Sequence, residues 1–327
     1  MSVSVIMTVK NEGEGLRPLL ESLLDQTLPP TEVVVCDGGS TDNTRSVLAE
    51  YEPWLPLQVV EAPGSNISQG RNVAIAAATH PIIATTDAGV VLSPAWLEEI
   101  TRPIRDGKAH VVSGWFEPDP YTDFEVVMGV TVLPQRQDIR PEKFLPSSRS
   151  VAFRKEAWEA VGGYPEWLDF SEDLIFDLQL RERYGFFPFN PRAVVYFRPR
   201  RSLRAFFWQY YHYARGDGKA NLWPRRHAVR YATYLLGLPL LGRQIWRGRG
   251  SGWFLLLAGL LAYCLKPARR LWPATSGWRP PSRVRAFALI PIIRFVGDVA
   301  KMIGYPIGLY WRLKHHSKFK NYLQTKS

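Results

Sequence analysis

Acidic side chains in this sequence recur at points where predicted β-strands end. Glu12 follows the apolar run "VSVIMTV", Asp37 follows "EVVVC" and Asp87 follows "PIIATT". Because ligands bind at the carboxyl ends of the strands in an open parallel sheet, we expect these side chains to lie close together. The same edge is predicted to hold further binding residues, namely Thr8, Asn11, Gly39 and Arg71.

A second acidic pair, Glu172 and Asp173, opens the segment "SEDLIFDLQLRE", which we predict to be an amphipathic helix. Acids in the first turn interact favourably with the helix dipole. Capping alone would therefore explain one of the two acids, and it leaves the other available for chemistry.

The glycine patterns exclude two common nucleotide sites. No GxGxxG follows the first strand and no GxxxxGK[ST] phosphate loop is present. Carboxylates beside a diphosphate would repel it unless a divalent cation lay between them. Asp37 is instead suited to accept a hydrogen bond from a nucleobase N–H group.

Apolar runs alternate with segments of helical spacing in the first part of the chain. The predicted strands are 3–9, 31–44 with its turn, 57–62, 81–87, 109–116 and 148–153, and the predicted helices are 14–25, 42–51, 69–79 and 93–104. This alternation predicts an α/β fold with a mostly parallel sheet flanked by helices. Cys36 and Cys264 lie far apart in apolar stretches and are predicted to be reduced.

Charge divides the chain into an acidic and a basic part. Residues 198–327 contain 25 lysines and arginines and two acids, whereas residues 1–197 contain 16 basic and 28 acidic side chains. The basic part requires an anionic partner. Interleaved leucine runs favour an anionic membrane surface over nucleic acid, so no nucleic-acid partner is expected. The N-terminus lacks the basic region of a signal peptide.

Three apolar runs in the basic part predict a hydrophobic, amphipathic helical region: 231–242, 252–265 and 287–311. The first two are shorter than the roughly 20 residues of a spanning helix. Basic clusters flank both, which opposes a two-helix hairpin under the positive-inside rule. We expect helices that lie in the interface or enter one leaflet. A spanning hairpin and an ordinary buried helical subdomain remain alternatives.

Five segments in residues 2–197 together resemble family 2 glycosyltransferases of the GT-A fold. They are "VSVIMTVKNEGEGLRPLLESLLDQT", "EVVVCDGGSTDNT", "GRNVAIAAATHPIIATTDAG", "FRKEAWEAVGGYPEW" and "SEDLIFDLQLRERYG". The resemblance implies a catalytic domain over 1–197, with a nucleotide-sugar half near 1–116, an acceptor half near 117–197 and a membrane-associating region over 198–327. It implies inverting transfer of a sugar from a nucleotide diphosphate sugar to an acceptor hydroxyl.

The resemblance also implies roles for individual residues. Thr8, Asn11 and Glu12 would line the nucleotide pocket, and Asp37 would bind the base. Asp173 would be the general base, with Glu172 orienting it or binding acceptor hydroxyls. Asp87 would occupy the first position of the family's Asp-x-Asp motif.

The sequence departs from the family pattern at Gly89, which stands where the second, metal-binding Asp is usual. We expect Mg²⁺ or Mn²⁺ held by Asp87, either with water or with His212. Alternatively, Arg and Lys replace some of its charge. Because of Gly89, an alternative remains open: a catalytically weakened protein of the same fold that binds nucleotide sugars or acts as a membrane scaffold.

The segment "QYYHYARGDG" lacks the Gln-x-x-Arg-Trp motif of processive relatives, which favours transfer of a single sugar. Arg215 and Lys219 are predicted to neutralise the departing diphosphate. Together these features predict a membrane-associated enzyme on the cytoplasmic face of the cell membrane. Its acceptor would be a lipid or a lipid-linked, cell-envelope glycan.

Overall fold

The computed structural model describes residues 2–315, which form two compact units. The first unit comprises the chain to Asp119 and residues 136–198, and the second comprises residues 120–135 and the chain from Pro199. The division after Arg198 lies next to the predicted boundary at residue 197, but residues 120–135 join the helical unit. Met1 of the predicted catalytic domain and residues 316–327 of the predicted membrane-associating region lie outside the described residues.

An eight-stranded mixed sheet forms the centre of the first unit, in the order β3-β2-β1-β4-β7-β6-β8-β5. The strands are β1 Val3–Val9, β2 Glu32–Asp37, β3 Leu57–Glu61, β4 Ile82–Thr85, β5 Val90–Leu92, β6 Val111–Pro118, β7 Val151–Arg154 and β8 Phe189–Phe197. Strands β1 to β4 are parallel, whereas β7 runs antiparallel to both β4 and β6. The predicted α/β class is confirmed.

Helices of the first unit cover both faces of this sheet. Within residues 2–315 the chain forms α1 Arg17–Leu24, α2 Thr44–Tyr51, α3 Ile67–Ala77, α4 Trp96–Arg105, α5 Asp123–Val132, α6 Lys155–Val161, α7 Glu172–Tyr184, α8 Leu203–Ala220, α9 Pro224–Tyr231, α10 Leu238–Trp246, α11 Gly250–Ala274 and α12 Pro280–Lys314. Successive side chains of β1 enter opposite cores, as in strands buried on both faces, with Met7 on one side and Ile6 on the other.

Helix α3 begins with a reciprocal cap that fixes its position at the ligand edge of the sheet. The Asn66 side chain accepts a hydrogen bond from the Gln69 N–H, and the Gln69 side chain accepts one from the Asn66 N–H. A Cβ at Gly70 would lie 2.9 Å from Cγ2 of Thr8. Glycine therefore lets the first turn of α3 pack directly on the end of β1.

Glycines allow α8 and α12 of the second unit to pack backbone to backbone. A Cβ at Gly304 would lie 2.2 Å from the Tyr211 carbonyl oxygen, and one at Gly308 would lie 2.1 Å from that of Arg215. Asp298 of α12 accepts hydrogen bonds from Arg230, Tyr234 and Tyr263, at 2.8, 3.0 and 2.7 Å. Asp298 is thus paired within the unit.

The second apolar run lies within a helix that is longer than the run itself. The run 252–265 is part of α11, a 25-residue helix that continues through Pro267. Within residues 2–315, α11 is the one helix that is long and apolar enough to cross a bilayer by length and composition. Its large apolar side chains are mostly exposed, among them Phe254 and Leu261.

Candidate active site

A cleft of about 340 Å³ opens at the carboxyl ends of β1, β2 and β4. Its walls contain Thr8 near the end of β1, Lys10 and Glu12 after β1, Gly38 after β2, Ser65 and Gly70 near the start of α3, and Asp87 after β4. The volume and the strand-end position fit a small ligand at the ligand edge of an α/β sheet. Three predicted residues, Thr8, Glu12 and Asp87, therefore line one cleft.

Glu12 is the acid of the β1 end that faces this cleft. Burial raises the pKa of its carboxyl group, and the nearby negative charges of Asp42 and Asp87 add to the rise. The carboxylates of Glu12 and Asp87 are thus close enough to interact electrostatically. Neighbouring Asn11, with φ of 57°, instead joins two loops: its side-chain oxygen accepts a hydrogen bond from the Thr41 N–H at 2.8 Å.

Asp37 is fully buried and its carboxylate is already engaged. Oδ1 accepts hydrogen bonds from the N–H groups of Gly39 and Ser40 and from the Ser40 hydroxyl, and Oδ2 pairs with Nε of Arg45 at 2.7 Å. Burial by itself would raise the pKa of Asp37, but the Ser40 and Arg45 contacts outweigh it and hold that pKa below its ordinary value. A nucleobase contact at Asp37 would compete with Arg45.

Gly39 is required by the backbone of this turn. Its φ is +90°, a conformation that L side chains rarely adopt, and a Cβ there would lie 3.2 Å from Cα of Pro63. Its N–H donates a hydrogen bond to Oδ1 of Asp37 at 3.1 Å. The structure assigns Gly39 to turn geometry, and a ligand contact remains a prediction.

Arg71 connects the two acidic centres. It is buried on α3, with Nη2 donating to Oδ1 of Asp87 at 2.7 Å and Nη1 donating to Oε1 of Glu172 at 2.6 Å. Burial opposes the charged guanidinium, but the nearby negative charges of Asp87 and Glu172 raise the pKa of Arg71 above its usual value. Acids 85 positions apart in the sequence are therefore held by one side chain.

Asp173 lies beside Glu172 at the start of α7, after Ser171 in a left-handed conformation with φ of 63°. Such strain in a non-glycine residue is typical of functional sites. Burial, followed by the charge of Glu172, raises the pKa of Asp173 to about 7, while Arg71 opposes the rise. A carboxyl group poised near neutral pH is suited to general base catalysis.

Arg149 is a site residue to which sequence reasoning assigned no role. Its Nε lies 3.7 Å from Oδ2 of Asp87, and its guanidinium lies 5.4 and 4.5 Å from the ring centres of Phe116 and Phe197. Asp87 therefore has a guanidinium on each side, because Arg71 binds its other oxygen. In the sequence, Arg149 is a basic residue within the predicted strand 148–153.

Tyr164, in the loop before α7, is a buried residue. Its ring is buried and stacks on Phe176 at 4.1 Å, and its hydroxyl is 2.9 Å from that of Ser148. This tyrosine is therefore part of the core beneath the site.

The predicted residues His212, Arg215 and Lys219 all belong to α8 of the second unit. Nζ of Lys219 lies 4.9 Å from the ring centre of Trp311, and the His212 ring lies beside Tyr211 at 5.1 Å. Their expected contacts with a diphosphate or a metal ion remain predictions.

A family model described as "Glycosyl transferase family 2" matches residues 4–154. Residues 4–154, a little under half of the chain, thus have the sequence of a glycosyl transferase family 2 domain. An uncharacterized glycosyltransferase of Nostoc sp. is 35% identical over 102 residues, which are 31% of this chain and 32% of the relative. Succinoglycan biosynthesis protein ExoA of Rhizobium meliloti is 25% identical over 230 residues, which are 66% of this chain and 68% of ExoA.

A solved glycosyltransferase shares the fold. Mannosyltransferase PcManGT from Pyrobaculum calidifontis, in complex with GDP-Man and Mn²⁺, matches 92% of this chain and 86% of its own with a TM-score of 0.61 and 21% identity. At this identity the likeness concerns the fold, which is of the GT-A type.

The described residues supply few protein ligands for a divalent cation. No three His, Cys, Asp or Glu side chains in residues 2–315 are grouped as a metal site. Asp87 is the carboxylate at the expected position, and Gly89, with φ of 72°, forms a turn where a second acid is usual. Mg²⁺ is commonly held by one or two carboxylates plus substrate phosphates. The residues fit a cation carried mainly by a diphosphate, with Asp87 as one ligand.

Proposed function

We propose that this chain is an inverting glycosyltransferase that transfers one sugar from a nucleotide diphosphate sugar to an acceptor hydroxyl. The observation that supports it most is the Arg71 bridge, which joins Asp87 in the nucleotide cleft to Glu172, the neighbour of Asp173. A donor-side acid and a general base with a pKa of about 7 are thus held in one network. The catalytic machinery of this proposal lies in the first unit.

The chemistry follows from this arrangement. Asp173 removes the proton of the acceptor hydroxyl as its oxygen forms a bond to the anomeric carbon. The bond from that carbon to the phosphate oxygen breaks on the opposite face, so the configuration inverts and the nucleoside diphosphate leaves. Asp173 ends protonated. A divalent cation, when bound at Asp87, would neutralise charge on the diphosphate.

The nucleoside is proposed to lie against Thr8 and Glu12, which line the cleft. The predicted base contact at Asp37 requires Arg45 to release one carboxylate oxygen, and the side chain of this arginine is 44% exposed. PcManGT in complex with GDP-Man supports a nucleotide-sugar donor in this fold.

The second unit supports an acceptor at a membrane surface. Its helix α11 is 25 residues long and apolar, and residues 198–327 contain 25 basic and two acidic side chains. An exposed apolar helix among basic residues is suited to an anionic bilayer. We therefore propose a lipid or lipid-linked glycan acceptor on the cytoplasmic face of the cell membrane. The similarity to ExoA, a succinoglycan biosynthesis protein, supports a glycan pathway.

The test is release of nucleoside diphosphate from a panel of sugar nucleotides by the full chain in lipid vesicles. We expect Asp173→Asn to lower the rate by about 10²–10⁴-fold, the usual contribution of a general base. Glu182→Gln, an exposed acid on the same helix, is the control. In the wild type, kcat/KM should rise with pH through about 7 as Asp173 loses its proton.

Measuring Tm distinguishes a loss of catalysis in Asp173→Asn from a loss of folding. An acid with a raised pKa is less favourable when ionised, so its replacement by a neutral amide should not lower Tm at pH 8. Transfer by Asp173→Asn at the wild-type rate would exclude Asp173 as the base. Binding of sugar nucleotides without turnover by the wild type would favour a nucleotide-sugar-binding protein.

A further inference from the structure

Sheet pairing places Arg149 directly opposite Asp87. Strand β7 is antiparallel to β4, with Thr85 paired to Val151. Continuing this register by two residues brings position 149 across from position 87, which agrees with the 3.7 Å between Nε of Arg149 and Oδ2 of Asp87. The arginine therefore stands at the end of β4 where Gly89 leaves no carboxylate.

The backbone on both sides of Arg149 is fixed. Ser148 and Ser150 are buried, the Ser148 carbonyl accepts a hydrogen bond from Thr85 at 2.6 Å, and the Ser150 hydroxyl accepts one from Trp96 at 3.0 Å. A residue between two such anchors has little freedom to shift. The position of the Arg149 side chain is thus preorganised, which lowers the entropy cost of binding a ligand.

Two aromatic rings hold the guanidinium without using its hydrogen-bond donors. Arg149 lies against Phe116 and Phe197, which meet edge to face at 5.7 Å. Its buried Nε has no hydrogen-bond partner among residues 2–315, and Asp87 at 3.7 Å is an ion pair beyond hydrogen-bond reach. Arginine stacked on rings keeps a planar fork of donors that matches phosphate oxygens.

The position of the Arg149 guanidinium beside Asp87 indicates which phosphate of the donor it would bind. The Asp87 carboxylate is joined through Arg71 to Glu172, the neighbour of the proposed base. The anomeric carbon must lie near that base, and in a nucleotide diphosphate sugar the outer phosphate is bonded to this carbon. A guanidinium beside Asp87 is therefore nearest to the outer phosphate.

We propose that Arg149 binds the outer phosphate of the donor and supplies part of the positive charge that a second acid with its metal ion would otherwise bring. This inference rests on the proposed function and names a further binding residue for it. Charge that builds on the phosphate as the sugar bond breaks would meet a fixed cation. Arginine at this position thus compensates for Gly89.

The test is calorimetric binding of UDP, GDP, UMP and GMP to the full chain, with Mn²⁺ and with chelator. We expect Arg149→Gln to weaken binding of the nucleoside diphosphate at least tenfold, the effect of losing a charge-assisted contact, and to change monophosphate binding little. The diphosphate affinity of Arg149→Lys should fall between those of the wild type and Arg149→Gln, because lysine keeps the positive charge without the planar set of hydrogen-bond donors. The diphosphate affinity of Arg149→Gln should also depend more strongly on Mn²⁺ than that of the wild type.

Arg154→Gln is the matched control, since Arg154 lies five residues later at the far end of β7 with similar exposure. Thermal melts of each variant verify folding. Equal diphosphate affinity of Arg149→Gln and wild type would overturn the inference and leave the proposed function standing. Equal weakening of mono- and diphosphate binding would also overturn it. A wild type that binds neither UDP nor GDP would overturn both.

Discussion

Arg71→Met removes the cation that two carboxylates share, and we expect it to destabilise the first unit strongly. The Arg71 side chain is 3% exposed, against 8% for Glu172 and 26% for Asp87. Removing one partner of a buried ion pair costs about 3–5 kcal/mol, because a charge remains uncompensated. Water screens part of the Asp87 contact, so we expect the lower end, about 3 kcal/mol. In a domain of this size that corresponds to a fall in Tm of roughly 6–12 °C.

The stability lost in Arg71→Met should increase with pH, because the pKa values of Asp173 and Asp177 are raised. Burial raises the pKa of both, that of Asp173 to about 7, and Arg71 opposes both rises. An acid with a raised folded pKa contributes stability at acidic pH and loses it as pH rises through that pKa. Without Arg71 the pKa of Asp173 moves above 7. The stability gap between variant and wild type should therefore be wider at pH 8 than at pH 5.5.

Thermal and chemical melts at the two pH values measure this gap. Arg17→Met is a matched control, because Arg17 also bridges two carboxylates, Glu14 and Glu50, but its side chain is 32% exposed and those of the two acids are 63% and 54% exposed. It should change stability little at either pH. An Arg71→Met loss no larger than that of the control, or one that is the same at both pH values, would refute the argument that a buried charge network joins the two acidic centres.

Two further predictions concern the β2 turn and the helical unit. Gly39→Ala should cost about 1–2 kcal/mol in thermal melts, because φ of +90° is unfavourable for alanine; an unchanged Tm would contradict this. The full chain should float with vesicles containing anionic lipid and less so in high salt, and the double variant Leu257→Glu, Leu261→Glu should float poorly, since both side chains are more than 60% exposed on α11. Flotation of that variant at the wild-type level would exclude α11 as the contact.

The strands and the ligand edge were predictable because buried parallel strands are continuously apolar, so an acid that ends such a run is conspicuous. Asp87 and Glu12 were found in this way and share the cleft. The partner of each acid was not predictable. Arg45 lies on α2, and its contact with Asp37 depends on how that helix rotates against the sheet. Tertiary packing, which local spacing does not encode, decides such pairs.

Arg149 shows a second limit of sequence reasoning. An alternation of strands and helices predicts a parallel order, whereas the pairing of β7 with β4 is antiparallel and joins residues 66 positions apart. Only this reversal places Arg149 opposite Asp87. The apolar run 252–265 also fell short of α11, because the helix continues through Lys266 and Pro267 to Ala274.

The charges around the proposed base connect the donor, its cation and the pH profile. Arg71 and Arg149 balance Asp87 and Glu172 before any donor binds. A diphosphate arriving alone would add negative charge beside Asp173 and raise its pKa further above neutral, leaving less of the base ionised at pH 7. A diphosphate that brings a divalent cation would add little net charge and leave that pKa near 7. The cation would then act on the proton acceptor as well as on the leaving group, and the fixed charge of Arg149 would lessen the need for it.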